Sequence, residues 1–250
     1  MAAKPKILIL AATGSNRDRD VAWACDLAGG APDIVHMNAL VAGHRKLSDV
    51  QMLVLPGGFS NGDDLGAGKL WAVTIRHRLG EALAAFVAAR KPVLGICNGF
   101  QALVKSGLLP GDEKATLTRN ERAHFECRWV TLEPNSASPC VFTKGLEEPI
   151  YCPVAHGEGQ FVARDAVALD AIEARGGVAL RYAGGGYPHN PNGSVNDIAG
   201  VTNAAGNVLG LMPHPENHIR PEQHPEYHRG ASGRSGLALF RNGIRYAGGL

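Results

Sequence analysis

Val93-Leu94-Gly95-Ile96-Cys97-Asn98-Gly99-Phe100-Gln101 is the stretch from which the fold is read. Residues 93–96 form a short apolar run, as a strand buried on both faces does. Residues 99–106 then take up a helical period. A cysteine stands at the junction, with a glycine two positions to either side. This is the G-x-nucleophile-x-G pattern of a strand-to-helix elbow. The sharp turn demands a strained backbone at its centre, and the flanking glycines remove side chains that would collide. It exposes the sulfur at the carboxyl edge of the sheet, where open α/β sheets bind ligands. It also sets the sulfur at a helix N-terminus, whose partial positive charge favours thiolate. The main-chain N–H of Asn98 then points at the reacting carbon as an oxyanion donor. A buried structural cysteine is the ordinary role for Cys25, Cys127, Cys140 and Cys152. Such a filler has no need of two flanking glycines. The elbow alone is shared by several hydrolase families.

Working outward, the first half alternates strand and helix patterns. Residues 7–12, 33–37 and 51–55 read as strands, and 17–27 and 69–89 as helices. Strands separated by helical crossovers imply a parallel sheet covered on both faces. After about residue 116 the pattern changes. Residues 126–132, 150–153, 177–182, 194–202 and 208–212 read as strands, with one helical stretch near 165–175. Turns such as Ala205-Gly206-Asn207 indicate hairpins. The expectation is one α/β domain over residues 1–250: a mostly parallel sheet covered by helices, with an antiparallel β extension on that sheet. No Pro/Gly/Ser-rich linker marks a boundary.

A thiolate nucleophile requires a histidine that is itself held by a third group. Val208-Leu209-Gly210-Leu211-Met212-Pro213-His214-Pro215-Glu216 supplies both. In an extended segment, residues two apart face the same way, so Glu216 is placed to fix the tautomer of His214. His224-Pro225-Glu226 repeats the same three letters, but after a polar stretch rather than a buried strand. A base must be rigidly placed, which selects His214. His218, His224 and His228 raise a metal reading, since pairs four apart chelate on a helix. Prolines at 215, 221 and 225 argue against a regular helix there. A solvated, irregular loop is the expectation for these three histidines, with no metal site.

Leu55-Pro56-Gly57-Gly58-Phe59-Ser60 ends a strand in a loop whose N–H groups can approach an oxyanion. Gly66-Ala67-Gly68-Lys69-Leu70 lacks the spacing of a phosphate loop, and Leu70 stands where a hydroxyl is required. Asp63 and Asp64 read as turn or cap residues before the long helix. The segments 184–187 and 190–193 read as surface loops. A net charge of +2 gives no electrostatic case for nucleic acid or a membrane surface. The apolar run near the start stops at Thr13-Gly14 and reads as a strand, not a targeting segment. Five cysteines without a C-x-x-C fit a reduced, cytoplasmic setting better than a disulfide framework.

Taken together, these motifs resemble the class I glutamine amidotransferases. The finer resemblance is to the glutaminase subunits of phosphoribosylformylglycinamidine synthase, from purine biosynthesis. It is carried by 55–63 (LPGGFSNGD), Ala155-His156-Gly157-Glu158-Gly159, Asn190-Pro191-Asn192-Gly193-Ser194, and Asn120 with 125–130 (FECRWV). The resemblance implies a flavodoxin-like sheet with Cys97 as nucleophile, His214 as base and Glu216 as its orienter. It implies a second oxyanion donor from Gly57 or Gly58, and a glutamine site lined by Gln101, His156 and Gly157. It implies no cofactor in this chain. ATP and Mg would belong to a large synthetase subunit, accompanied by a small accessory subunit. Asp64 and Gly66 depart from the family pattern, where Tyr and Arg are the expected types.

Two other classes compete. One is a different Cys-His hydrolase of the same fold, such as a γ-glutamyl hydrolase or a protease-like relative. Glutamine-dependent ammonia release separates it. The other is a non-catalytic docking module, against which the intact Cys97, His214 and Glu216 argue. A nucleotide-binding regulator is disfavoured by the failed phosphate-loop spacing.

Overall fold

The computed structural model describes residues 3–250. In chain order it forms β1 (Lys6–Ala11), α1 (Asp18–Leu27), β2 (Ala31–His36), α2 (Met37–Val41), β3 (Met52–Leu55) and α3 (Lys69–Thr74). A π turn (Ile75–Leu79) joins α3 to α4 (Gly80–Ala88). Next come β4 (Val93–Ile96), α5 (Asn98–Ser106), β5 (Ala115–Thr118), β6 (Glu126–Pro134), β7 (Ile150–His156), β8 (Gln160–Ala163) and α6 (Ala166–Ala174). The chain ends with β9 (Val178–Tyr182), β10 (Ile198–Thr202), β11 (Val208–Leu211) and α7 (Leu237–Ala247).

Nine strands make one sheet in the order β2-β1-β3-β4-β11-β10-β9-β6-β7. The first five are parallel, and β10, β9, β6 and β7 continue antiparallel. The physical cause is visible in the strands themselves. β3, β4 and β11 are short, aliphatic and buried at every position, so both faces need cover. α1 and α7 pack together against β1 and β3, while α5 packs on β3, β4 and β11 with α3 outside it. β6 and β7 alternate buried and partly exposed residues, as strands with one wet face do.

The α/β sheet with an antiparallel extension is as expected from the sequence, but several details differ. The segment 194–202 is not all strand: Val195–Asp197 is a 3-10 turn, and only Ile198–Thr202 pairs. The long helix is interrupted by the π turn. β5 and β8 form a separate two-stranded ribbon. One strand pairing positions the chemistry. β11 lies parallel to β4 with Val208 opposite Val93 and Leu211 opposite Ile96. The residues just past both strands therefore emerge side by side.

Candidate active site

Cys97 sits between β4 and α5 with φ 50° and ψ −105°. A non-glycine residue there carries strain of roughly 1–3 kcal/mol, held only if its surroundings leave no alternative. Its N–H donates to Leu211 O at 2.8 Å, and its carbonyl accepts from Gln101 N–H at 2.9 Å. The flanking glycines serve close packing. A Cβ on Gly99 would lie 2.1 Å from Leu55 O, and one on Gly95 would lie 2.5 Å from Leu103 Cδ1. The helix can sit down on β3 and β4 only because both side chains are missing.

His214 follows β11 and is anchored by its own N–H donating to Pro153 O at 2.8 Å. Its Nδ1–H donates to Glu216 Oε1 at 2.7 Å. Both residues are buried. The carboxylate reaches the imidazole through a 3-10 turn over Pro215–Asn217, not through the extended segment expected from the sequence. The pairing holds for a different geometric reason. Among the described residues Nε2 has no hydrogen-bond partner. Burial by itself would lower the His214 pKa. The negative charge of Glu216, reinforced by Cys97, outweighs burial and raises it to about 10. The ring is thus held as imidazolium at neutral pH.

A cavity of about 240 Å³ opens over the sulfur, with Gly58, Phe59, Gln101, Phe125 and His156 in its wall. The Cys97 thiol also lies 3.9 Å from Ala155 O. The two loop glycines divide the work. A Cβ on Gly57 would fall 2.7 Å from His214 Cε1, so Gly57 packs behind the imidazole. Gly58, at φ +147°, lines the cavity, which makes its N–H the candidate second oxyanion donor. His156 is buried, with Nδ1–H donating to Asn120 Oδ1 at 3.1 Å. Burial and then the nearby His214 charge lower its pKa to about 3, so it is neutral. Gly157 lines the same cavity, and a Cβ on Gly159 would strike the His156 ring at 2.5 Å.

Comparison with known proteins shows the family to which the chain belongs. Residues 4–247 match the CobB/CobQ-like glutamine amidotransferase domain. The phosphoribosylformylglycinamidine synthase subunit PurQ of Treponema denticola is 46% identical, covering 97% of this chain and 99% of its own. That of Dehalococcoides mccartyi is 42% identical, covering 98% of each. The chain belongs to the PurQ family of class I glutamine amidotransferases. A chain in the structure of PurLQS from Thermotoga maritima superposes with a TM-score of 0.76 at 35% identity, covering 98% of this chain and 99% of that one.

Around the amidotransferase site, the sequence reading needs two corrections. His218 and His224 are not in a solvated loop. Both are buried against Trp129 and Tyr151, with the two imidazoles 5.4 Å apart, edge to face. His218 Nδ1–H donates to Tyr151 O at 2.5 Å and ties the segment after Glu216 to β7. Only His228 is exposed as expected. Asn190, Asn192 and Ser194 are likewise buried, not on the surface. Asn192 donates to the Tyr182 hydroxyl at 3.0 Å, and Ser194 Oγ donates to Asn192 Oδ1 at 2.7 Å. The segment 184–187 is exposed, as expected, and Tyr187 is stacked on Arg122. Among the described residues no cluster of three or more His, Cys, Asp or Glu is arranged to hold a metal.

Sequence reasoning missed the side chain of Asn98, of which only the main-chain N–H was used. The available signal was a polar residue directly after the nucleophile, where an apolar strand turns into a buried helix. Another cavity, about 550 Å³, lies between the segment 40–48 and α4, away from this chemistry.

Proposed function

We propose that this chain hydrolyses glutamine at Cys97 and hands the ammonia to an ATP-dependent synthetase subunit making formylglycinamidine ribonucleotide. One observation carries the reading. A strained cysteine at a helix N-terminus and a carboxylate-held histidine emerge side by side from adjacent parallel strands, beneath a cavity.

The Cys97 sulfur attacks the side-chain amide carbon of glutamine. The C–O π pair moves to oxygen, which is met by the N–H groups of Asn98 and Gly58. His214 Nε2–H protonates the amide nitrogen, the C–N bond breaks and ammonia leaves. A γ-glutamyl thioester remains on Cys97. His214, now neutral, takes a proton from water, and hydroxide adds to the thioester. Collapse expels the sulfur and releases glutamate. Glu216 holds the imidazole ring throughout. Gln101 and the buried His156 Nε2 acceptor contact the bound glutamine.

No cofactor enters this half reaction, and ATP with Mg would act on the synthetase. The PurLQS assembly of the Thermotoga maritima relative supports a complex with synthetase subunits. A small accessory subunit is part of this proposal. So is a cytoplasmic location, alongside the observation that no described helix is long and apolar enough to cross a membrane.

The test is Cys97→Ala in the assembled complex. Glutamine-dependent synthesis should vanish while ammonia-dependent synthesis survives. A glutamine-analogue electrophile should label Cys97 and spare Cys127, the one exposed cysteine. Labelling centred on Cys127 would sink the assignment.

A further inference from the structure

The loop between β3 and α3 carries the candidate second oxyanion donor, yet its backbone is costly to hold. Asn61 and Asp63 have φ 53°, and Gly62, Gly66 and Gly68 are also left-handed. Two non-glycine residues in that region persist only where neighbours fix them. Part of the fixing is main-chain: the Phe59 and Asn61 N–H groups donate to Gly14 O at 2.9 Å and Thr13 O at 2.7 Å, and the rest comes largely from one side chain. Asn98 is 1% exposed. Its Oδ1 accepts the Ser60 N–H at 2.9 Å, two residues beyond Gly58. Its Nδ2 donates to Asp63 Oδ1 at 2.9 Å and to Gln101 Oε1 at 3.0 Å. Both amide donors are used, and the carbonyl oxygen accepts one bond.

The far end of the loop is fastened to the same helix. Asp63 Oδ1 also accepts the Gly68 N–H at 3.2 Å. A Cβ on Gly68 would lie 2.8 Å from Ala102 N, so the loop rests directly on α5. Lys105, also on α5, donates to Ala67 O and pairs with Glu158 at 3.7 Å. Gln101 Nε2 donates to Glu158 O. Asn98 thus stands where the nucleophile helix, the oxyanion loop and the glutamine loop meet.

Resting on the glutaminase reading above, we propose that Asn98 acts twice in the reaction. Its main chain supplies one oxyanion donor, and its side chain, through Ser60 and Asp63, sets the position of the other at Gly58. The side chain is a positioning residue, because it touches neither the sulfur nor the reacting amide. Its loss leaves the nucleophile in place and misplaces an N–H that matters only when charge develops on oxygen. A single misplaced donor costs roughly 10²–10³ in rate.

Simple alkylation separates this from a structural role. The Cys97 thiolate attacks the methylene carbon of iodoacetamide and displaces iodide, a step that needs no oxyanion hole. In the assembled complex, Asn98→Asp places two carboxylates face to face and removes both donor bonds. Its glutamine-dependent kcat should fall about 10²-fold. Cys97 alkylation and ammonia-dependent synthesis should stay within about threefold, as no oxyanion donor acts in either. Asp63→Asn keeps the Oδ1 acceptor and should be nearly silent. Asn98→Asp/Asp63→Asn restores a donor–acceptor pair and should recover about tenfold of the loss, the non-additivity of a direct contact. Additive effects, or wild-type turnover in Asn98→Asp, overturn the proposal. If Asn98→Asp fails to fold, Asp63→Ala decides alone: reduced kcat with unchanged alkylation supports the proposal, and wild-type kcat rejects it. A wild-type complex that neither hydrolyses glutamine nor alkylates at Cys97 would instead defeat the glutaminase reading itself.

Discussion

Single residues in this site are tuned by what surrounds them, and the two buried histidines are tuned in opposite directions. The His214 pKa rises from 6.5 to about 10, because the Glu216 and Cys97 charges outweigh burial. Its stabilisation is therefore full below pH 6.5 and is lost as pH climbs through about 10. The His156 pKa falls from 6.5 to about 3 through burial and the neighbouring His214 charge. Its contribution is full above pH 6.5 and is lost as pH drops toward about 3. Urea midpoints measured from acid to alkaline pH should show His214→Gln flattening the alkaline slope and His156→Gln flattening the acid slope. The two similar His-Pro-Glu segments should also separate. His214→Ala should cut glutamine turnover by about 10²–10⁴. His224→Ala should leave kcat within about threefold but lower stability by about 1–3 kcal/mol, since a buried ring leaves the Trp129–Tyr151–His218 cluster. Stopped-flow glutaminase assays beside denaturant titrations check both.

At the scale of elements, steric room decides the sign of a substitution that propensity alone would misjudge. Gly80 and Gly99 both lie in the first turn of a helix. Gly80→Ala meets nothing nearer than Ile75 O at 3.9 Å and should stabilise by about 0.5–1 kcal/mol. Gly99→Ala would drive a methyl to 2.1 Å from Leu55 O and should destabilise by about 1–3 kcal/mol or more. Chemical denaturation of the two variants should give shifts of opposite sign. The strand–elbow–helix unit was legible in the sequence because its aliphatic run, glycines and cysteine fall at fixed spacing. The β5–β8 ribbon was not, because ATLT and QFVA are short and carry little alternation. The buried Asn190–Ser194 turn was also hidden. Its polar groups satisfy one another, and hydrophobic patterning is blind to polar residues buried in that way.

On the whole molecule, the site stands where exposed apolar groups gather. Phe59, Leu65 and Phe125 are exposed on the loops around the cavity, and Tyr187 is exposed where Arg122 and Arg128 approach its ring. The oxyanion loop is therefore part of the surface a synthetase would cover. Glutamine hydrolysis by the lone chain should be slow and should rise strongly on adding the synthetase, the accessory subunit and the acceptor nucleotide. Full activity in the lone chain, unchanged by these partners, would favour a stand-alone hydrolase. Hydrophobic patterning could not locate this surface, since it does not distinguish a phenylalanine in the core from one that the fold turns outward.

The place of β11 has a consequence for how the molecule comes into being. It is the last strand in chain order among the described residues, yet it lies between β4 and β10 at the middle of the sheet. Until it arrives, a nascent chain holds two half-sheets with raw edges, each open to pairing with a stranger. The same late strand brings His214, so Cys97 is synthesised long before the imidazole can lie beside it. Completion of the sheet and the meeting of Cys97 with His214 become one event.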